Sequence, residues 1–193
     1  MQKILIICLV GFFLQQGISQ SSGGISIQTG LSYGFSKEKS LTRSGEGHYG
    51  WMAGLDARLL GGDMYFLVGG QYHRTSLFST SNLSFFQTDM ELVMTRLGLG
   101  FTILKLGYKS YLRTKLLASI NFVLDGPDPR SAFPNATSPA GLNDSFLGAT
   151  TGLGWTKGPL DLDIEFQYGI LNSVFNQDKT NFNYITLACG VNF

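Results

Sequence analysis

The chain is poor in charge, in cysteine and in long apolar runs, and each shortage closes off a class of protein. Lysine and arginine number 14 against 13 aspartates and glutamates in 193 residues. No basic face of the kind that neutralises a phosphate backbone can be built from so balanced a set, so nucleic acid is not an expected partner. There are two cysteines, Cys8 and Cys189. Cys8 lies in the N-terminal apolar segment, so removal of that segment leaves Cys189 alone and no disulfide framework available. The apolar run from Ile4 to Leu14 is well short of the roughly 20 residues of a spanning helix, and nothing after it is longer. If this chain crosses a membrane, it crosses as strands.

The N-terminus does carry a recognisable pattern. Lys3 precedes the apolar run, and Gly17, Ile18 and Ser19 follow it with small residues where a signal peptidase reads. Residues 1–19 are expected to be a secretory signal peptide, cleaved after Ser19 to leave residues 20–193 as one domain. Without Lys3, the 14 basic residues become 13 and equal the 13 acidic ones. The rest is unusual for a soluble domain: 25 glycines, 15 phenylalanines and 8 tyrosines accompany a charged fraction of 14%.

The dominant signal is alternation over segments of about ten residues, the period of a strand with one apolar and one polar face. From Gly24 to Ser36, Ile25, Ile27, Thr29, Leu31, Tyr33 and Phe35 oppose Ser26, Gln28, Gly30, Ser32, Gly34 and Ser36. The pattern returns over His48–Leu59, more weakly over Met64–Ser76, clearly over Tyr111–Leu124, and most cleanly over Leu160–Ile170, where Asp161, Asp163, Glu165 and Gln167 alternate with aliphatic and aromatic residues. Asn181–Phe193 ends the series on an aromatic, and Ser145–Thr156 is too glycine-rich to phase. In Gln87–Leu104 the apolar residues change parity, Met90, Leu92 and Met94 at even positions and Leu97, Leu99, Phe101 and Ile103 at odd ones. A β-bulge near Thr95 is the expected reconciliation.

Short turns at 60–63, 105–110 and 157–159 alternate with longer links at 37–47, 77–86, 125–144 and 172–180. That count closes an all-β, eight-stranded, antiparallel up-and-down transmembrane barrel, with termini and short turns periplasmic and long loops extracellular. Tyr33, Tyr49, Trp51, Tyr65, Tyr72, Tyr111, Trp155, Tyr168 and Tyr184 fall near strand ends, where interfacial rings are expected.

The inward face collects Asp56, Arg58, Arg96, Arg113, Lys115, Asp161, Asp163 and Glu165, with Asp89 and Glu91 near the outer rim. An eight-stranded interior is only wide enough for side chains to fill, and buried charges must be paired. A salt-bridged polar plug is therefore expected, with a narrow pore as the functional alternative. Gln71-Tyr72-His73-Arg74-Thr75 invites comparison with lipid A deacylases, but Thr75 stands where their motif has serine, and His73 and Thr75 fall on the inward face. No catalytic residue, metal site or cofactor is expected, a site pairing His48 with His73 being weaker still. The 125–144 link holds four of the five prolines and is stiffened by them.

The signal ending at Gly17 to Gln20, the glycine-rich Gly148 to Gly154 strand, the Leu160 to Gly169 strand and the close from Tyr184 to Phe193 together resemble the small outer-membrane β-barrel proteins of Bacteroidetes, the porin family or PorT-like group. The resemblance covers the mature chain and is one of pattern. It implies insertion by the barrel-assembly machinery, which reads a last strand ending in an aromatic, here Phe193. It implies little about activity, since that group includes secretion accessories and adhesion proteins. Three functions remain: a structural or interaction barrel serving an envelope or secretion complex, with outer-membrane lipid and other outer-membrane proteins as partners; a narrow channel; and a lipid A-modifying enzyme. The first requires no unobserved site and is the expected one.

Overall fold

A computed structural model describes residues 24–36, 48–59, 62–76, 90–126, 142–173 and 180–193. The expected signal segment and most of the four long links, Asp89 included, lie outside the described residues. Eight strands follow one another in sequence: β1 (Gly24–Ser36), β2 (His48–Leu59), β3 (Met64–Thr75), β4 (Met90–Gly107), β5 (Ser110–Asp125), β6 (Ser145–Lys157), β7 (Leu160–Gly169) and β8 (Phe182–Asn192). Each pairs antiparallel with its neighbours, and β8 returns to β1 to close a barrel. This is the fold the alternation implies.

Register fixes the shape. Partners followed once around, from Gly24 through Arg58, Leu67, Gly98, Leu117, Thr150, Gln167 and Tyr184, return to β1 at Gly34, a stagger of ten residues. Such a stagger over eight strands tilts them by about 40° and leaves an interior that side chains fill. The described turns are tight. Gly158 adopts φ 59° ahead of Pro159, and Lys109 is the single non-glycine described at positive φ, 51°.

The outer wall is apolar. Ile27, Leu55, Leu97, Leu116, Leu153, Ile164 and Leu187 are all exposed, and the hydroxyls of Thr29 and Thr114 are turned onto the backbone oxygens of Met52 and Gly152. Between the rims the described wall carries no charge except the Arg74–Glu91 pair at 3.1 Å, which lies beside Trp51 and puts Glu91 outside, not among the inward charges, because its neighbours Met90 and Leu92 take the inward positions. Aromatic rings gather at two heights. Tyr33 and Tyr49, 5.0 Å apart, and Trp51 and Tyr72, 5.5 Å apart, ring the loop end. Phe66, Phe101, Trp155 and Phe193 ring the turn end, near the short connections. A strand of ten residues such as β7, tilted in this way, spans roughly 25 Å, the height of the apolar band of a membrane barrel.

Three sequence expectations are corrected. No bulge occurs near Thr95: β4 pairs without interruption from Leu92 to Thr102 on β5, and its irregularities fall at Glu91/Leu92, Thr102/Leu104 and Lys105/Gly107. Parity never changes because Met90, Leu92 and Met94 point into the barrel and are buried. Tyr65 and Tyr184, expected at the interfaces, also point inward and are buried. Finally, β6 does have a phase. Its inward positions are Phe146, Gly148, Thr150, Gly152, Gly154 and Thr156, so glycine and threonine blur the contrast that larger polar residues give elsewhere.

Candidate functional site

The interior divides along the barrel axis. Its turn-side half holds the eight inward charges singled out above, and they form one connected system. Starting on β2, Asp56 accepts from Arg96 at both Nη2 and Nε, the latter at 2.9 Å. Arg96 reaches across to Glu165 at 2.5 Å. Glu165 also holds Lys115, which bridges to Asp163 at 3.2 Å. Arg113 joins Asp163 at 2.6 Å to Asp161 at 3.4 Å, and Asp161 meets Arg58 at 2.5 Å, back on β2. Sign alternates at every step, and the four cations equal the four acids. The system is a neutral chain of eight ions that begins and ends on β2, with no contact between Asp56 and Arg58 to close it.

Neutral side chains add to it, although Nε and Nη1 of both Arg58 and Arg113 keep no hydrogen-bond partner among the described residues. Gln28 donates to Asp56 at 2.8 Å, Ser26 to Asp161 at 3.1 Å and Thr156 to Asp161 at 2.5 Å. The Arg58 guanidinium stands 5.8 Å over the Tyr65 ring. Ions without water need this density of partners, because the desolvation penalty is several kcal/mol per ion and only good geometry offsets it.

The cations on β5 do not meet acids on the adjacent strand. They reach over β6 to β7, and the β6 residues beneath them are Gly152 and Gly154. A Cβ at Gly154 would lie 2.5 Å from Arg113 Nε, and one at Gly152 would lie 3.2 Å from both the Lys115 and Glu165 side chains. The glycines that hide the phase of β6 are thus the floor over which the ion pairs pass. Gly70, on the outer wall, offers a control, since its Cβ would come no closer than 3.9 Å to Met94 O. Gly154→Ala is expected to lose about 1–3 kcal/mol through overpacking, and Gly70→Ala almost nothing. The midpoint of heat-induced unfolding in detergent, read by electrophoretic mobility, checks the pair; equal midpoints would contradict the glycine floor.

The loop-side half is different. Met52, Met90, Leu92, Met94, Phe146 and Phe182 are buried there at 0–2% exposure, and Phe182 packs edge-on to Tyr184 at 4.4 Å. The Phe182 ring occupies the space left by Gly34, where a Cβ would lie 2.5 Å from it. Between the two halves, Gln71 couples them: its oxygen accepts from Arg96 Nη1 at 2.7 Å and Nη2 at 2.9 Å, and its amide nitrogen donates to His73 Nε2 at 3.0 Å. Sequence reasoning missed this apolar stopper, although the even-parity run Met90, Leu92, Met94 was its signature.

His73 is fully buried beside Gln71, with the Tyr184 ring 5.6 Å away. Neither bilayer lipid nor bulk water reaches it, and a nucleophile acting on lipid needs both. His48 begins β2, four residues before Met52, the partner of His73. Among the described residues, no group of three or more His, Cys, Asp or Glu converges as a metal site. Cys189 is a free, outward-facing thiol.

No protein-family model matches the sequence, and no curated protein matches it. Among solved structures, the chain is similar to Neisserial surface protein A, at 16% identity and a TM-score of 0.52, over 88% of this chain and 97% of that one. It is also similar to Ail, the attachment invasion locus protein of Yersinia pestis, solved with the heparin analogue sucrose octasulfate, at 16% identity and a TM-score of 0.48, over 89% of this chain and 99% of that one. The outer-membrane channel DcaP of Acinetobacter baumannii matches at 20% identity and a TM-score of 0.35, over 79% of this chain and 43% of that one. At these identities the likeness concerns architecture, and the first of the three supports a closed small β-barrel for this chain.

Proposed function

We propose that this chain is an exported bacterial outer-membrane barrel that works as a rigid transmembrane scaffold, presenting its long links to other envelope proteins as an accessory subunit of an envelope or secretion complex. One observation carries the reading: the lumen is closed twice in series, by the neutral ion network and by the apolar stopper, inside a wall that only lipid would cover. A pore needs a hydrated path through both. An enzyme needs a reactive group that substrate can reach, and the histidine inside the lumen is sealed.

The orientation we assign puts residues 1–19 as the cleaved signal, the termini and short turns in the periplasm, and the long links outside. In this reading Phe193 is the assembly signal. Its backbone closes the β1–β8 seam through Phe193 N to Ile25 O at 2.9 Å and Ile25 N to Phe193 O at 3.2 Å, and its exposed ring stands at the turn-side rim. The pattern resemblance to the Bacteroidetes porin-family and PorT-like barrels agrees with this assignment.

Two measurements on one preparation test the proposal. The tagged protein is purified from gently solubilised outer membranes, and its companions are identified by mass spectrometry. The same material is reconstituted into planar bilayers. Stoichiometric envelope proteins and no single-channel steps are expected; steady conductance from the isolated barrel would overturn the scaffold in favour of a narrow channel.

A further inference from the structure

The charges at the turn-side rim are not distributed like those of the lumen. Lys105 is matched by Asp63 at 2.8 Å. Lys109 and Lys157 are exposed, and neither forms an ion pair with a carboxylate among the described residues. These two lysines sit on neighbouring hairpin ends that the backbone joins. Ser110 pairs with Lys157 across β5 and β6, Gly158 N donates to Lys109 O at 2.8 Å, and Trp155 Nε1 donates to Ser110 Oγ at 3.2 Å. Tyr108, 91% exposed, lies beside them with Lys109 Nζ 5.6 Å from its ring.

The result is two exposed cations beside two amphipathic rings, with Leu160 of the apolar wall paired to Lys157. At the other rim the described charges are Arg74 and Glu91, paired, and Asp125 and Asp144. The turn side is therefore the positive side of the described barrel. Carried on hairpin ends that one backbone hydrogen bond joins, these two flexible side chains can both turn to a single phosphate whose acyl chains lie along the wall, with Trp155 at the interface.

We propose that the joined tips of the β4–β5 and β6–β7 hairpins bind the phosphate headgroup of an anionic phospholipid in the leaflet surrounding the turns. The inference rests on the membrane reading above, since a barrel in water would have no acyl chains along this wall. The occupant is a lipid and not a free phosphate because the cations stand at the edge of an apolar surface, with interfacial rings between.

The two tryptophans make the test internal, because Trp155 marks the turn rim and Trp51 the loop rim. The barrel is reconstituted into phosphatidylcholine bilayers, and tryptophan emission is quenched with brominated phosphatidylglycerol or brominated phosphatidylcholine. Trp51→Phe and Trp155→Phe variants isolate each reporter. Trp155 should favour the anionic lipid by about fivefold, given the attraction of lysine to anionic headgroups near a membrane surface. The preference should vanish in Lys109→Gln/Lys157→Gln, and Trp51 should show none.

Equal quenching of Trp155 by both lipids, or a preference that survives the double substitution, would overturn the proposal while leaving the membrane reading intact. Displacement of the effect by inorganic phosphate, but not by chloride at equal ionic strength, would assign the site to free phosphate and overturn the lipid source. Failure of either lipid to quench either tryptophan would instead sink the membrane reading itself.

Discussion

Arg96→Met is expected to lower the stability of the folded barrel by about 3–5 kcal/mol, the loss that follows when one partner of a buried ion system is removed and the other charges stay behind. Arg96 bridges Asp56 and Glu165 across the lumen and also holds the Gln71 oxygen. Glu165 keeps Lys115, so the uncompensated ion after substitution is Asp56, left with Gln28 alone. Adding Asp56→Asn restores neutrality to the network, and the double variant should recover more than half of the loss. Urea unfolding in lipid vesicles, followed by tryptophan emission, measures both. An unshifted midpoint for Arg96→Met would remove the ion network as a source of stability. A double variant no better than the single one would place the cost in lost packing and not in charge.

The second large effect belongs to the opposite face of the wall. Ile164 lies mid-strand on β7 and is 59% exposed, with Leu153 on one side and Leu187 on the other. In a bilayer, Ile164→Arg should cost about 2–4 kcal/mol, the range for a basic residue at the midplane of a membrane barrel. The sign is what discriminates. On a barrel surrounded by water the same exposed substitution would be close to neutral, as surface changes usually are. Unfolding free energies of wild type and Ile164→Arg in the same vesicles decide the matter, and a difference near zero would contradict a lipid-covered wall.

The outward half of this fold was legible because lipid imposes one rule on every residue it touches. Ile25 to Phe35, Leu160 to Ile170 and Ile185 to Phe193 obey it at alternate positions, so the outward set of these strands follows from parity, and strand number and closure follow from the alternation of short turns with long links. The lumen follows no such rule. It is not solvent but a packed interior, so Met90, Leu92, Met94 and Tyr65 are as admissible there as Arg96. Reading every apolar residue as outward is what created the spurious bulge at Thr95. The eight charged residues could be named because a charge has nowhere else to go on a lipid-facing strand. Their connections could not, since pairing depends on tilt and stagger: Arg113 finds its acids two strands away over Gly154, a geometry that strand order alone does not disclose.

The ion network also constrains how the molecule can be made. Its contacts join residues far apart in the chain, 40 positions for Asp56 with Arg96, 69 for Arg96 with Glu165 and 103 for Arg58 with Asp161. No hairpin of two neighbouring strands contains a complete pair, so a lone hairpin carries these ions without a counterion, and the pairs of Arg96 with Glu165 and Arg58 with Asp161 need the sheet to curl. The sheet cannot be delivered strand by strand into hydrocarbon, where each bare charge is prohibitive. The polar face must stay wet until β2, β4, β5 and β7 have come round to face one another. Arg96 with Glu165 and Arg58 with Asp161 therefore meet only in a sheet that has already curled.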